Sequence, residues 1–211
     1  MIERIKKAVR RVIRSFAHTL DKLSGSRITP NDITLFGTFM HIPIALLIAA
    51  RANILAAVLL LLFGLFDTLD GELARLQHCE SPKGRLLDSI TDRIKEVLLY
   101  SGAAYATIAS TGRPYLAVWA VAACGCALLT SYVNAVGDAI MAGQKTKQHA
   151  SNTAFRIGLF SFEIRMFILL VGLLINEVPA AIILIAIGAG YTAVTRLLLV
   201  LGRIAETEQN V

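Results

Sequence analysis

The chain has 211 residues and a formal net charge of +6, with 55% hydrophobic and 17% charged residues and a mean hydropathy of +0.64. A soluble domain carries about 25% charge, and several apolar stretches here exceed the roughly 18 residues that mark a membrane span. This excludes a secreted soluble domain, a disordered chain and a nucleic-acid module, and leaves an all-α integral membrane protein.

Residues 2–24 predict an amphipathic helix. Ile2, Ile5, Val9, Val12, Ile13, Phe16, Leu20 and Leu23 recur at helical spacing, while Arg4, Lys6, Lys7, Arg10, Arg11 and Arg14 occupy the remainder. Such a helix lies in the headgroup plane with its cations toward anionic lipid. The rival reading is a targeting peptide, but a secretory signal needs an apolar h-region and a small-residue cleavage site. Six spans follow, at 31–50, 54–76, 84–109, 114–141, 155–175 and 179–202. They are separated by breakers at Arg51–Asn53, Ser81–Pro82, Gly112–Pro114, Gly143–Thr153 and Asn176–Pro179. The expected organisation is a juxtamembrane helix over 1–25 and a six-helix domain over 26–211.

Charge orients this arrangement. With the N-terminus in the cytoplasm, inner segments hold eight Lys/Arg before residue 31, then Arg75, Lys83, Arg85, Lys145, Lys147, Arg156 and Arg203; outer loops hold Arg51 and Arg113. Positive residues favour the inner face, so both termini are expected there, in the cytoplasmic membrane. The basic N-terminal flank is therefore an orientation signal, not a nucleic-acid surface. The three cysteines indicate neither a disulfide frame nor a zinc site: Cys79 sits alone in a loop, and Cys124 and Cys126 read as small buried hydrophobes.

Ionisable groups within spans are costly, about 2.5–3.5 kcal/mol each on insertion scales, and point to a site. The second span ends in FDTLDGELAR and the third opens in GRLLDSITDRIKE. Asp67 and Asp70 share a helix face with Gly71 and Ala74, and Asp88 and Asp92 share one with Gly84. Counting the helical rise inward from the outer ends sets Asp67, Asp70 and Asp92 at about 21, 26 and 24 Å. The two pairs therefore lie at one depth, just under the cytoplasmic boundary. Four carboxylates in one space repel each other. Either divalent cations relieve this, with oxygen ligands favouring Mg²⁺ or Mn²⁺, or Arg75, Lys83, Arg85, Arg93 and Lys95 pair with them as a salt-bridged helix end.

Residues 67–92 read D-x2-D-G-x2-A-R-x8-G-x3-D-x3-D, carried by Asp67, Asp70, Gly71, Ala74, Arg75, Gly84, Asp88 and Asp92. Over nearly its whole length the chain resembles the CDP-alcohol phosphatidyltransferases, with the phosphatidylinositol-phosphate-synthesising type the better match. The resemblance implies transfer of a phosphatidyl group from CDP-diacylglycerol to a small alcohol, with release of CMP and two Mg²⁺ or Mn²⁺ ions per site. Asp67, Asp70 and Asp88 would hold the first ion, and Asp67, Asp88 and Asp92 the second. Asp92 would also be the catalytic base. Asn31, Asp32, Ile33, Thr34, Gly71, Arg75 and Ser81 would contact the CDP-lipid. A homodimer, with membrane lipid as its surroundings, is implied too.

The acceptor is read from fewer residues. Asp92-Arg93 followed by Glu96 resembles members that use inositol phosphate, where those using glycerol 3-phosphate tend to have Asp-Lys. Ser131, Asn134, Arg165 and Arg196 are the acceptor candidates, the arginines as phosphate-seizing cations. Asn134 and Val136, however, stand where the family pattern has Lys and Arg, which removes one expected phosphate contact. Arg165 pairing with Glu163 or Asp138, and Arg196 snorkelling to the cytoplasm, are the plain structural alternatives. His41 reads as a satisfied core residue, and Gly188 with Gly190 as a close-packing pair. A cation channel or carrier would need polar residues through the bilayer, yet the outer halves of spans 2, 3 and 6 are apolar. A prenyltransferase would need a second aspartate cluster.

Overall fold

The computed structural model describes the backbone of residues 2–143 and 160–209 and the side chains of residues 11–140 and 160–205. The helices are α1 (Ile2–Ser24), α2 (Pro30–Ala49), α3 (Asn53–Gly64), α4 (Phe66–Leu76), α5 (Pro82–Thr111), α6 (Val118–Gly143), α7 (Phe162–Leu174) and α8 (Val178–Gln209), with a 3₁₀ turn at Pro114–Ala117. No strand occurs among the described residues. The chain divides into two compact units, Met1–Leu99 and Tyr100–Val211.

In the first unit, α2 begins where Thr29 and Asp32 form a reciprocal capping box and Pro30 fills the first turn. The apolar stretch Asn53–Leu76 is interrupted once. At Leu65 the backbone N–H bonds back to the Leu62 and Phe63 carbonyls, beside a cluster of Phe36, Phe63 and Phe66 rings with centroids 5.1–6.1 Å apart. The break separates α3, apolar after Asn53, from a polar α4. Helix α1 packs Ile13 and Ala17 into a core made with Ile33 of α2 and Leu69 and Leu73 of α4, and leaves Val12, Phe16 and Leu23 exposed. Its end is tied down by Gln77, whose Nε2 donates to Asp21 Oδ1 at 2.8 Å and to the Ile28 carbonyl at 3.0 Å. His41 is buried, its Nδ1 2.7 Å from the Gly37 carbonyl, as a satisfied core histidine.

In the second unit, α8 packs against both α6 and α7. Small residues make these approaches close: a Cβ at Gly172 would sit 2.4 Å from that of Ala181, and one at Gly137 3.1 Å from Val200. Gly188 admits the Phe160 ring, which a Cβ there would meet at 2.2 Å. Chain reversals fall at the expected breakers, with Arg51, Gly112 and Asn176 in the left-handed region.

Four described segments are long and apolar enough to cross a membrane: Pro30–Ala49, Asn53–Leu76, Pro114–Ile140 and Val178–Ala205. The spans expected at 84–109 and 155–175 are not in that set. Helix α5 is long, but seven charged residues between Lys83 and Glu96 lower its hydropathy. Helix α7 is described over 13 residues. The start of the expected 155–175 span, most of the polar stretch 143–153, and the side chains of α1 up to Arg10 lie outside the described residues. Among the described residues the protein is all-helical, with four apolar segments of a multi-pass membrane protein.

Candidate active site

Helix α4 turns polar immediately after the break at Leu65, and its first turn carries Asp67. Asp67 and Asp70 then face the aspartates of α5. One carboxylate oxygen from each of Asp67, Asp70 and Asp88 lies within 4.8 Å of the others. Asp70 is buried and is fixed by Thr34 of α2, whose hydroxyl lies 2.5 Å from its Oδ2. Three hard oxygen donors, with no thiolate or imidazole in the group, suit a divalent ion such as Mg²⁺ or Mn²⁺.

Asp92 stands one turn further along α5 and outside this group. Its Oδ1 lies 3.4 Å from Nζ of Lys95, and the same ammonium pairs with Asp67. The Lys95 side chain is 1% exposed. The salt-bridged alternative is therefore realised, among the described residues, at Asp67 and Asp92, chiefly through Lys95. Other cations turn elsewhere: Arg75 pairs with Glu72 at 2.7 Å and with Glu80 at 3.6 Å, and Arg93 meets Glu96 at 2.5 Å, more closely than Asp92 at 3.8 Å.

A cleft of about 520 Å³ opens beside the aspartates. Asn31, Thr34, Gly71 and Ser81 line it, together with Asp70 and Asp88. The remaining CDP-lipid candidates lie differently. Asp32 accepts the Thr29 backbone N–H at 2.9 Å in the helix cap. Ile33 is buried in the apolar core against α1 and α4, because one residue of a helix turns about 100° from the next. Arg75 is outside the lining, held by Glu80, which is part of it. Thr29, Gln77 and Glu80, which no motif in the sequence singles out, also line the cleft, as does Arg85, expected only as a salt-bridge partner. Lys95, too, is expected from the sequence only as such a partner. A helical signal was present: Lys95 follows Asp92 by three and Asp88 by seven, on one face.

The acceptor candidates belong to the second unit. Ser131 Oγ lies 3.5 Å from the Ala127 carbonyl, and Asn134 is half-buried on α6. Arg165 is 1% exposed and donates from Nη1 to the Phe160 carbonyl at 2.6 Å. Arg196 is buried and donates to the Thr130 carbonyl at 3.3 Å.

Comparison with known proteins agrees with this architecture. The family model for CDP-alcohol phosphatidyltransferase matches residues 27–201. A phosphatidylinositol phosphate synthase of Corynebacterium glutamicum is 30% identical over 92% of this chain and 86% of that protein. An archaetidylinositol phosphate synthase of Pyrococcus horikoshii is 26% identical over 93% and 94% of the two chains. Crystal structures of the Mycobacterium tuberculosis phosphatidylinositol phosphate synthase share the fold. The one with CDP-DAG bound has a TM-score of 0.76 at 22% identity, covering 90% of this chain and 94% of that one. The complex with manganese and citrate has a TM-score of 0.75 at 24% identity, covering 89% and 88%. With five positions of the aspartate motif, Asp70, Gly71, Ala74, Gly84 and Asp88, lining one cleft and a family match over residues 27–201, the chain belongs to the CDP-alcohol phosphatidyltransferase family.

Proposed function

We propose that the protein transfers a phosphatidyl group from a CDP-linked lipid to a hydroxyl of inositol phosphate and releases CMP. The observation that carries this reading is the convergence of Asp67, Asp70 and Asp88 to within 4.8 Å at the edge of a cleft lined by other residues of the same motif. The acceptor assignment is supported by the relatives, which are named phosphatidylinositol phosphate synthase and archaetidylinositol phosphate synthase. Those names do not favour glycerol 3-phosphate, and family membership disfavours a channel.

In this reading Asp67, Asp70 and Asp88 hold one divalent ion, with Asp92 joining Asp67 and Asp88 at a second. Bound there, the ions polarise the phosphoryl group and stabilise the leaving CMP. The manganese complex of the M. tuberculosis neighbour is in keeping with this. Thr34 orients the Asp70 carboxylate. Gly71 leaves the cleft wall open for the nucleotide, with Asn31 and Ser81 beside it. Arg75, released from Glu80, supplies a planar phosphate donor. As the new P–O bond to the acceptor forms and the bond to CMP breaks, Asp92 takes the acceptor's hydroxyl proton. Ser131, Asn134, Arg165 and Arg196 are proposed as acceptor contacts from the family resemblance and the affinity of guanidinium for phosphate.

The membrane arrangement proposed with this function has six spans, an interfacial α1, and both termini and the active site on the cytoplasmic side. It follows a juxtamembrane segment over 1–25 and a catalytic domain over 26–211, and pairs as a homodimer. The positive-inside distribution supports the orientation. Purified protein is to be offered CDP-diacylglycerol with inositol phosphate, glycerol 3-phosphate and serine together in Mn²⁺ or Mg²⁺. Mass spectrometry is expected to find phosphatidylinositol phosphate as the main product; phosphatidylglycerophosphate instead would overturn the acceptor assignment.

A further inference from the structure

Lys95 is a buried ammonium between two aspartates of different helices. Its Nζ pairs with Asp67 of α4 and lies 3.4 Å from Asp92 of α5, and its side chain is 1% exposed. Burying a charge this deeply is costly unless opposite charges and hydrogen bonds compensate for it, and here two carboxylates do so. These are two of the three carboxylates, with Asp88, that the reading above gives to a second divalent ion. The group that holds the first ion, Asp67, Asp70 and Asp88, forms without Asp92.

We propose that Lys95 acts as an internal counter-cation at the Asp67–Asp92 edge of the site, so that a second divalent ion binds only in competition with its ammonium. The inference rests on the metal-site reading above and adds an order to it: the first ion meets Lys95 at one of its three carboxylates, Asp67, whereas the second meets it at two of its three, Asp67 and Asp92. Because the side chain is enclosed, displacement requires it to move to a new partner. Lys95 is thus a positioning residue. It keeps Asp67 and Asp92 together before the second ion arrives and sets how readily that ion enters.

The test is a Mn²⁺ titration of the purified full-length protein in detergent, with free Mn²⁺ followed by electron paramagnetic resonance. It is paired with thermal unfolding in the absence of metal. The wild type is expected to bind one ion tightly and a second about tenfold or more weakly, the scale on which groups supporting metal ligands act. K95M is expected to tighten the second step toward the first and to lower the unfolding temperature of the metal-free protein. K95R, which keeps the charge, is expected to retain the unequal steps. A second step that saturates only in K95M is the same result in stronger form. Two equally tight ions in the wild type overturn the proposal without any variant, as does a second step unchanged in K95M. Should K95M fail to fold, K95Q makes the same comparison. If neither wild type nor variant binds Mn²⁺ at all, the metal-site reading itself falls, and this inference with it.

Discussion

Beyond its chain neighbours and its own helix backbone, a methyl group placed on Gly71 would meet nothing within 4 Å, although Gly71 sits inside a helix and borders the cleft. The fold therefore has no packing reason for glycine there, and an interior helical glycine costs roughly 0.5–1 kcal/mol relative to alanine. In the proposed reaction the CDP-lipid takes up this space. Gly71→Ala is expected to leave the unfolding temperature unchanged or raised, and to raise KM for the CDP-lipid about tenfold, the scale of one misplaced methyl in a close-fitting site. Unaltered kinetics would mean the gap serves no ligand. Asp92 is a different case, because its proposed role is to accept a proton. Asp92→Asn keeps the shape but removes both the base and a charged ligand of the proposed second ion, so kcat at saturating CDP-lipid and Mn²⁺ is expected to fall about 100-fold or more.

At the scale of elements, the active site depends on a small apolar core that lies directly behind it. Leu69 and Leu73 of α4 point into the cluster with Ile13, Ala17 and Ile33, while Asp70 and Gly71 of the same helix border the cleft. The aspartates are thus aimed by how α4 seats on α1 and α2. Leu73 is 1% exposed, and Leu73→Ala is expected to cost about 2–5 kcal/mol. A thermal-shift measurement in detergent should record the loss as a lower midpoint, with activity falling at assay temperature. The same seating explains Ile33. It lies in the segment that the family resemblance associates with CDP-lipid binding, yet its side chain helps to fix α1 and α4 instead.

For the whole molecule, the prediction concerns sidedness. Cys79 is exposed, whereas Cys124 and Cys126 are half-buried on α6, so one native thiol reports on the cleft. A membrane-impermeant maleimide is expected to leave Cys79 unmodified in intact cells and to label it in inverted vesicles. CDP-diacylglycerol with Mn²⁺ should slow that labelling, since Cys79 lines the cleft. Labelling from outside intact cells would reverse the proposed orientation.

Membrane class, the chain reversals at Arg51, Gly112 and Asn176 and the aspartate motif were legible in the sequence because each is a local property, whereas the break at Leu65 inside the expected 54–76 span was not. Apolar length gives a span, a residue suited to left-handed backbone such as Gly112 or Asn176 gives a reversal, and i,i+3 or i,i+4 spacing gives a shared face. Other features depend on neighbours distant in the chain. That Asp67, Asp70 and Asp88 meet while Asp92 is held by Lys95, that Ile33 turns into the core, and that Arg75 goes to Glu72 and Glu80 were decided by packing of α1, α2, α4 and α5. Spacing along one helix states which residues point together. Which side chain on the facing helix reaches them first is settled by tertiary contact, where a buried charge accepts the nearest available partner.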